Sequence, residues 1–163
     1  MSALPYVCKI VIPAAYSMLP FKMQATESKA MVLAIGLVES DYFKARRQYG
    51  GGPAISLWQG EPTGGFPRLV NHPATRDIAR DLLKRMAYGE PDMSDFRALE
   101  HNDIAACCAA RLLVWTHNDK LPGIGESKRA RQYYLDLWRP GKPCSEEKWD
   151  ECWKLAWAEL QKV

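Results

Sequence analysis

Apolar positions recur at helical spacing along most of the chain. From Ser28 to Glu39 (SKAMVLAIGLVE) they lie almost all round, the pattern of a helix enclosed by protein, and this segment is expected to be the central helix. Between Thr75 and Tyr88, Ile78, Leu82 and Met86 fall four apart with charges between them, giving one apolar stripe and one solvated face. Asp103 to Thr116 sets Ile104, Cys108, Leu112 and Trp115 on one side, and its Ala and Cys residues suit close helix packing. Ser127 to Arg139 aligns Ala130, Tyr134 and Leu137 before Pro140 and Gly141 stop it. A last helix is expected after Ser145, a good N-cap followed by Glu146 and Glu147 at the dipole-favoured end, with a stripe of Trp149, Cys152, Trp153, Ala156 and Leu160.

The long exception is Lys44 to Pro73, which lacks helical periodicity and holds six of the eleven glycines. Loops of this length inside one domain are usually functional, and the β-prone run Ala54 to Gln59 is expected to form a small hairpin there. The chain is therefore read as mainly α. Its 163 residues suffice to bury roughly 70% of the unfolded surface in one core, whereas two domains would each be marginal, so residues 1–163 are taken as a single domain.

Composition narrows the function classes. With 47% hydrophobic and 25% charged residues the chain is an ordinary folding sequence, and a net charge of +3 is too balanced to imply nucleic-acid binding. The apolar stretch Ile10 to Leu19 is too short for a membrane span and a poor signal peptide. Five cysteines without a CxxC pair indicate neither a zinc site nor a disulfide framework, and Cys107 and Cys108 read as buried fillers. A His-Asn-Asp triplet occurs at His101 and again at His117, and both copies read as helix-end caps. No metal or other cofactor is expected.

Glu39 ends the central helix and is followed by Ser40; about twenty residues later comes a run of small and aliphatic residues ending in Trp58-Gln59. This pattern resembles the catalytic motifs of the soluble lytic transglycosylases and goose-type lysozymes. Val32 to Gly36, Arg46-Arg47-Gln48, Gly51-Gly52-Pro53-Ala54 and Trp138 to Pro143 extend the likeness to short lysozyme-like proteins of bacteriophages and prophages. The resemblance implies a lysozyme-like domain with the hairpin beside the active-site cleft. It also implies cleavage of the β-1,4 bond between N-acetylmuramic acid and N-acetylglucosamine in peptidoglycan, with Glu39 as acid and then base and Gln59 lining the sugar cleft. Three departures stand out: Ser56 replaces a Gly, Asp41-Tyr42 replace the usual spacing residues, and the family's Ala-Tyr-Asn-Ala-Gly run is absent, which leaves open the tyrosine that assists in the cleft.

The chemistry of Glu39 agrees with such a role. A carboxyl at a helix C-terminus faces unpaired carbonyls, and apolar neighbours such as Val38 and Trp58 would desolvate it, lifting its pKa from about 4.3 towards roughly 6. Where a second carboxylate is used, Glu61 is the candidate, because Asp41 is expected to cap or to pair with Arg46 or Arg47. A lytic transglycosylase needs none, since the resemblance implies that the acetamido group of the substrate stabilises the cation and its C6 hydroxyl closes a 1,6-anhydro ring. Ser40, Trp58, Gln59, Tyr42 and Tyr133 are the expected substrate contacts; Tyr134 is assigned to the core and Tyr133 to solvent or cleft. Tyr49, and the basic cluster Lys44, Arg46 and Arg47, are further candidates beside the loop. Two other readings remain: a muramidase using both carboxylates, and a non-enzymatic phage virion component that binds glycan or protein through the same fold. Expected partners are peptidoglycan strands and, for a protein made in the bacterial cytoplasm without a signal peptide, other virion proteins or a holin that give access to the cell wall; nucleic acid is not an expected partner.

Overall fold

A computed structural model of the chain describes residues 3–61, 65–88 and 95–162. The N-terminal apolar stretch is helical throughout: α1 (Leu4–Tyr6) passes through a π-helical turn (Val7–Val11) into α2 (Ile12–Ser17). A short 3-10 turn then leads to α3 (Thr26–Glu39), in which every residue from Ala30 to Val38 is buried, as a helix without a polar face requires. α3 packs against α6 (Asp103–Trp115), α7 (Ser127–Trp138) and α8 (Glu146–Leu160), and is the element around which the core is arranged. Smaller helices α4 (Gly65–Arg68) and α5 (Arg76–Arg85) cover another side. No helix is long and apolar enough to cross a membrane among the described residues.

The helix ends follow the local chemistry. The Ser145 hydroxyl accepts the Lys148 N–H at 3.2 Å, and Asn102, from the first His-Asn-Asp triplet, accepts the Ala105 N–H at 3.0 Å. Cys107 and Cys108 are buried and free, and the Cys108 thiol reaches the Ala15 carbonyl of α2 at 3.4 Å, so small side chains do bring α2 and α6 close together. α5 stops at Arg85, short of Tyr88, because Ala87 turns into the left-handed region at φ 62°.

The expected β-hairpin is not formed. Among the described residues the loop holds only two isolated antiparallel bridges, Arg47 to Ile55 and Ile55 to Gly60. Tight turns crowd this stretch: Gly50 and Gly51 take φ near +81° and +82°, and the Gln59 N–H returns to the Ser56 carbonyl at 3.2 Å. Leu57 and Trp58 are both drawn into the core instead of alternating between faces, which removes the two-residue periodicity a strand needs. Of the glycines counted in this stretch, Gly64 lies outside the described residues.

Gly36 is the point of closest approach in the core. A Cβ there would sit 2.3 Å from the Phe43 ring and 3.0 Å from Trp58 Nε1, so the bare backbone is a notch that these rings occupy. Gly36→Ala is expected to lower unfolding free energy by about 1–3 kcal/mol through overpacking, read as a lower denaturant midpoint. An unchanged midpoint would mean that the notch is not filled.

Candidate active site

Glu39 is the last residue of α3, and the chain turns sharply after it. The Ser40 hydroxyl donates to the Gly36 carbonyl at 2.7 Å, and the Tyr42 N–H returns to the Leu37 carbonyl at 2.8 Å, the reach-back bond of a Schellman end. Asp41, Tyr42 and Phe43 are all left-handed, with φ of 49°, 59° and 63°. Asp tolerates this conformation, but a bulky residue there costs roughly 1–2 kcal/mol. Burial of the Phe43 ring against Gly36 and edge-on to Trp58, with ring centroids 6.1 Å apart, offsets the strain.

This turn leaves the Glu39 carboxyl at a cleft of about 1150 Å³. Val38 and Glu39 contribute from α3, Gln48, Tyr49, Gln59 and Glu61 from the long loop, and Tyr134, Leu137 and Trp138 from α7. Arg68, Leu69 and His72 at and after α4, the connection from Arg139 to Cys144 with Lys148, and the residues just after α6 add to the lining. Glu39 is half-buried, and its one hydrogen bond among the described residues comes from the Tyr134 hydroxyl, which donates to Oε1. Burial pushes its carboxyl from the ordinary 4.5 up to about 7, against the smaller opposing effect of the Tyr134 hydrogen bond. Burial and the charge of Glu39 push the Tyr134 phenol upward, so it stays a donor. Tyr134 is fixed from behind, stacked on Trp149 at 4.9 Å, which in turn stacks on Trp153.

The expected substrate contacts divide. Gln59 and Glu61 line the cleft, Gln59 buried with its amide nitrogen given to the Ser56 carbonyl at 2.8 Å and Glu61 exposed. Ser40 is wholly buried and serves the helix end. Trp58 is also wholly buried, its indole N–H donating to the Val32 carbonyl at 2.8 Å, and so cannot offer a face to a sugar. Tyr42 lies outside the cleft lining, donating to Glu151 at 2.8 Å. Tyr133 is buried as well, donating to the Val114 carbonyl at 3.1 Å and stacked on His117, while Tyr134 reaches Glu39. Tyr134 is in the core as its helical stripe implies, with its hydroxyl reaching the cleft, whereas Tyr133, expected toward solvent or cleft, is buried and outside the lining. Tyr49, 71% exposed on the lip, is an aromatic the cleft does present.

The basic cluster serves another purpose. Arg46 forms a two-pronged ion pair with Asp103 and Arg47 pairs with Glu100 at 2.6 Å, fastening the loop to the start of α6, while Lys44 pairs with Asp41 at 3.3 Å. Asp41 therefore pairs with Lys44 and Lys148 in place of the expected arginines. Ser56 stands at φ 69°, the region that favours glycine, and its hydroxyl accepts the Trp58 N–H at 3.2 Å.

The chain matches no protein-family model, no curated protein and no solved structure.

The raised carboxyl sets a pH dependence of stability. Between pH 4.5 and about 7 the folded state keeps a proton that the unfolded chain releases, so stability falls as pH rises through that window and then levels. The full cost is on the order of 3 kcal/mol. Glu39→Gln keeps an acceptor for Tyr134 and removes this cost. It is expected to match the parent near pH 4 and to exceed it by about 2 kcal/mol at pH 8 in urea unfolding; equal stability at both would remove the buried-acid assignment.

Proposed function

We propose that the protein cleaves peptidoglycan at the β-1,4 bond between N-acetylmuramic acid and N-acetylglucosamine, as a lytic transglycosylase with Glu39 as its one catalytic carboxyl. The observation that carries this reading is the half-buried Glu39 carboxyl, raised to about 7 and held by Tyr134 at a wide cleft. The likeness of Glu39-Ser40 and Trp58-Gln59 to the motifs of lytic transglycosylases and goose-type lysozymes supports it from the sequence, and with it a lysozyme-like arrangement of the domain.

A glycosidic oxygen leaves poorly unless it is protonated, and an acid with a pKa near 7 still holds its proton at neutral pH. Glu39 gives that proton to the bridging oxygen as the bond to C1 breaks, and the acetamido carbonyl of the muramic acid supports the developing positive charge. The Glu39 carboxylate then takes the proton of the C6 hydroxyl as that oxygen bonds to C1. The result is a 1,6-anhydro end with no water consumed and the Glu39 proton restored. Tyr134 keeps the carboxyl oriented and donates to it in both states. Gln59 and Tyr49 are available to contact the strand, Tyr49 through its exposed ring. The position of Glu61 in the same cleft supports a second reading, a muramidase in which that carboxylate assists water.

Glu39→Gln should lower turnover of purified sacculi by on the order of a hundredfold or more; parent-like rates would reject Glu39 as the acid. The parent's rate should fall as pH rises through about 7, because the acid form is lost. Tyr134→Phe removes the bond that lowers the Glu39 pKa, so this alkaline limb should move to higher pH. Mass spectrometry of the digest decides the product. Fragments one water lighter than reducing ends, with only a modest loss in Glu61→Ala, are expected, whereas reducing ends and a loss as severe as that of Glu39→Gln would favour the muramidase. Binding to sacculi with no soluble fragments released would favour a non-enzymatic virion component.

A further inference from the structure

Much of the positive charge near the loop and on α7 and α8 is already neutralised. Arg46 holds Asp103, Arg47 holds Glu100, Arg129 holds Glu126 and Lys154 holds Asp150. The connection between α7 and α8 differs. Arg139 ends α7 in the left-handed conformation, and its Nε donates to the Asp136 carbonyl at 3.2 Å; its two Nη groups have no partner among the described residues. Lys142 is exposed and likewise unpartnered among those residues. Both line the cleft, as does Lys148, which shares its charge with Asp41 at 3.7 Å.

None of the carboxylates lining the cleft pairs with Arg139 or Lys142. Glu39 is held by Tyr134; Asp136 is held by Gln132 at 2.7 Å and lies 3.3 Å from His117 Nε2. Glu61 and Asp119 form no ion pair with either cation. Arg139 and Lys142, with Arg68 of α4 also lining the cleft and without an ion pair among the described residues, concentrate a positive potential there, and a guanidinium with both Nη groups unengaged is shaped for a carboxylate. The sugar rings of peptidoglycan carry no charge of their own. Its carboxylates belong to the short peptides attached to the muramic acid.

We propose that Arg139 and Lys142 form a subsite for the carboxylates of these peptides, so that the protein prefers strands whose peptide carboxylates are free over strands in which they are neutralised. The proposal rests on the reading of the cleft as a glycan-cleaving site and adds a substrate preference to it. The segment from Arg139 to Lys148 thus supplies charge recognition, while Glu39 and Tyr134 supply the chemistry.

Retention of the full chain on immobilised strands whose peptides have free carboxylates (peptide-bearing strands), and on the same strands after carbodiimide coupling of those carboxylates to methylamine, tests this without requiring cleavage. The unmodified chain is expected to hold peptide-bearing strands about tenfold more tightly at low salt, the preference shrinking as ionic strength rises. Arg139→Gln with Lys142→Gln should abolish the preference. Lys142→Glu, at an exposed position where folding is not at stake, should weaken it on its own. Equal retention of both strands by the unmodified chain, a preference kept in the double variant, or tighter retention of single-stranded DNA would each overturn the subsite. Release of soluble fragments, followed in the same samples, separates the two proposals: preference without release supports the subsite and refutes glycan cleavage, and equal retention and cleavage of both strands does the reverse.

Discussion

The close approach of Phe43 and Trp58 to the bare backbone of Gly36 is the constraint on which the site depends. A helix that is buried on all sides has to end inside the protein, and the chain must then turn back without leaving polar groups unsatisfied. Ser40 returns its hydroxyl to the Gly36 carbonyl, three residues adopt the left-handed conformation, and the Phe43 ring fills the notch. Glu39 sits at the rim of this reversal, buried enough to lose most of its hydration and open enough to border the cleft. The same packing anchors Trp58, whose carbonyl accepts the Trp138 indole N–H at 2.9 Å, so the loop and the end of α7 are tied to one point.

A second layer of order comes from α8. Trp149 and Trp153 donate to the carbonyls of Ser127 and Ile124, and Trp157 meets Trp153 edge-on, so the three indoles form a continuous rigid support. Tyr134 stacks on its end. The tyrosine that touches Glu39 therefore has little rotational freedom, and the direction of its hydroxyl is set by packing more than 10 residues away in sequence on a different helix.

The helices were legible because their signals are local. The unbroken apolar run of α3, the stripe of α8 and the capping residues Ser145 and Asn102 act within a few positions, and the segments they mark are helical. The hairpin was not legible, since β-prone residues cannot reveal that Leu57 and Trp58 will both be pulled inward by a helix lying elsewhere. The cleft beside Glu39 was expected only from the motif resemblance, whereas its raised pKa could be read from the apolar neighbours at the helix end. The role of Trp58 could not, because an aromatic that supports the core and one that borders a ligand have the same composition and spacing. Tyr134 was the more instructive case. Its stripe assigned it to the interior, and it is only 1% exposed, yet the few atoms at its tip reach the carboxyl. Periodicity describes which way a residue faces and is silent on whether that face meets a cavity.

The fastening of Arg46 to the first residue of α6 and of Arg47 to the turn just before it joins residues separated by 57 and 53 positions. The loop that carries Gln48 and Gln59 to the cleft is thus held by contacts between residues distant in sequence, and contacts of that kind form after local helices have gained most of their structure. The cleft is completed later still, when α7 brings Tyr134 to Glu39 across 95 positions, so a growing chain that has already passed Glu39 and Gln59 has only one side of it until α7 has followed and docked.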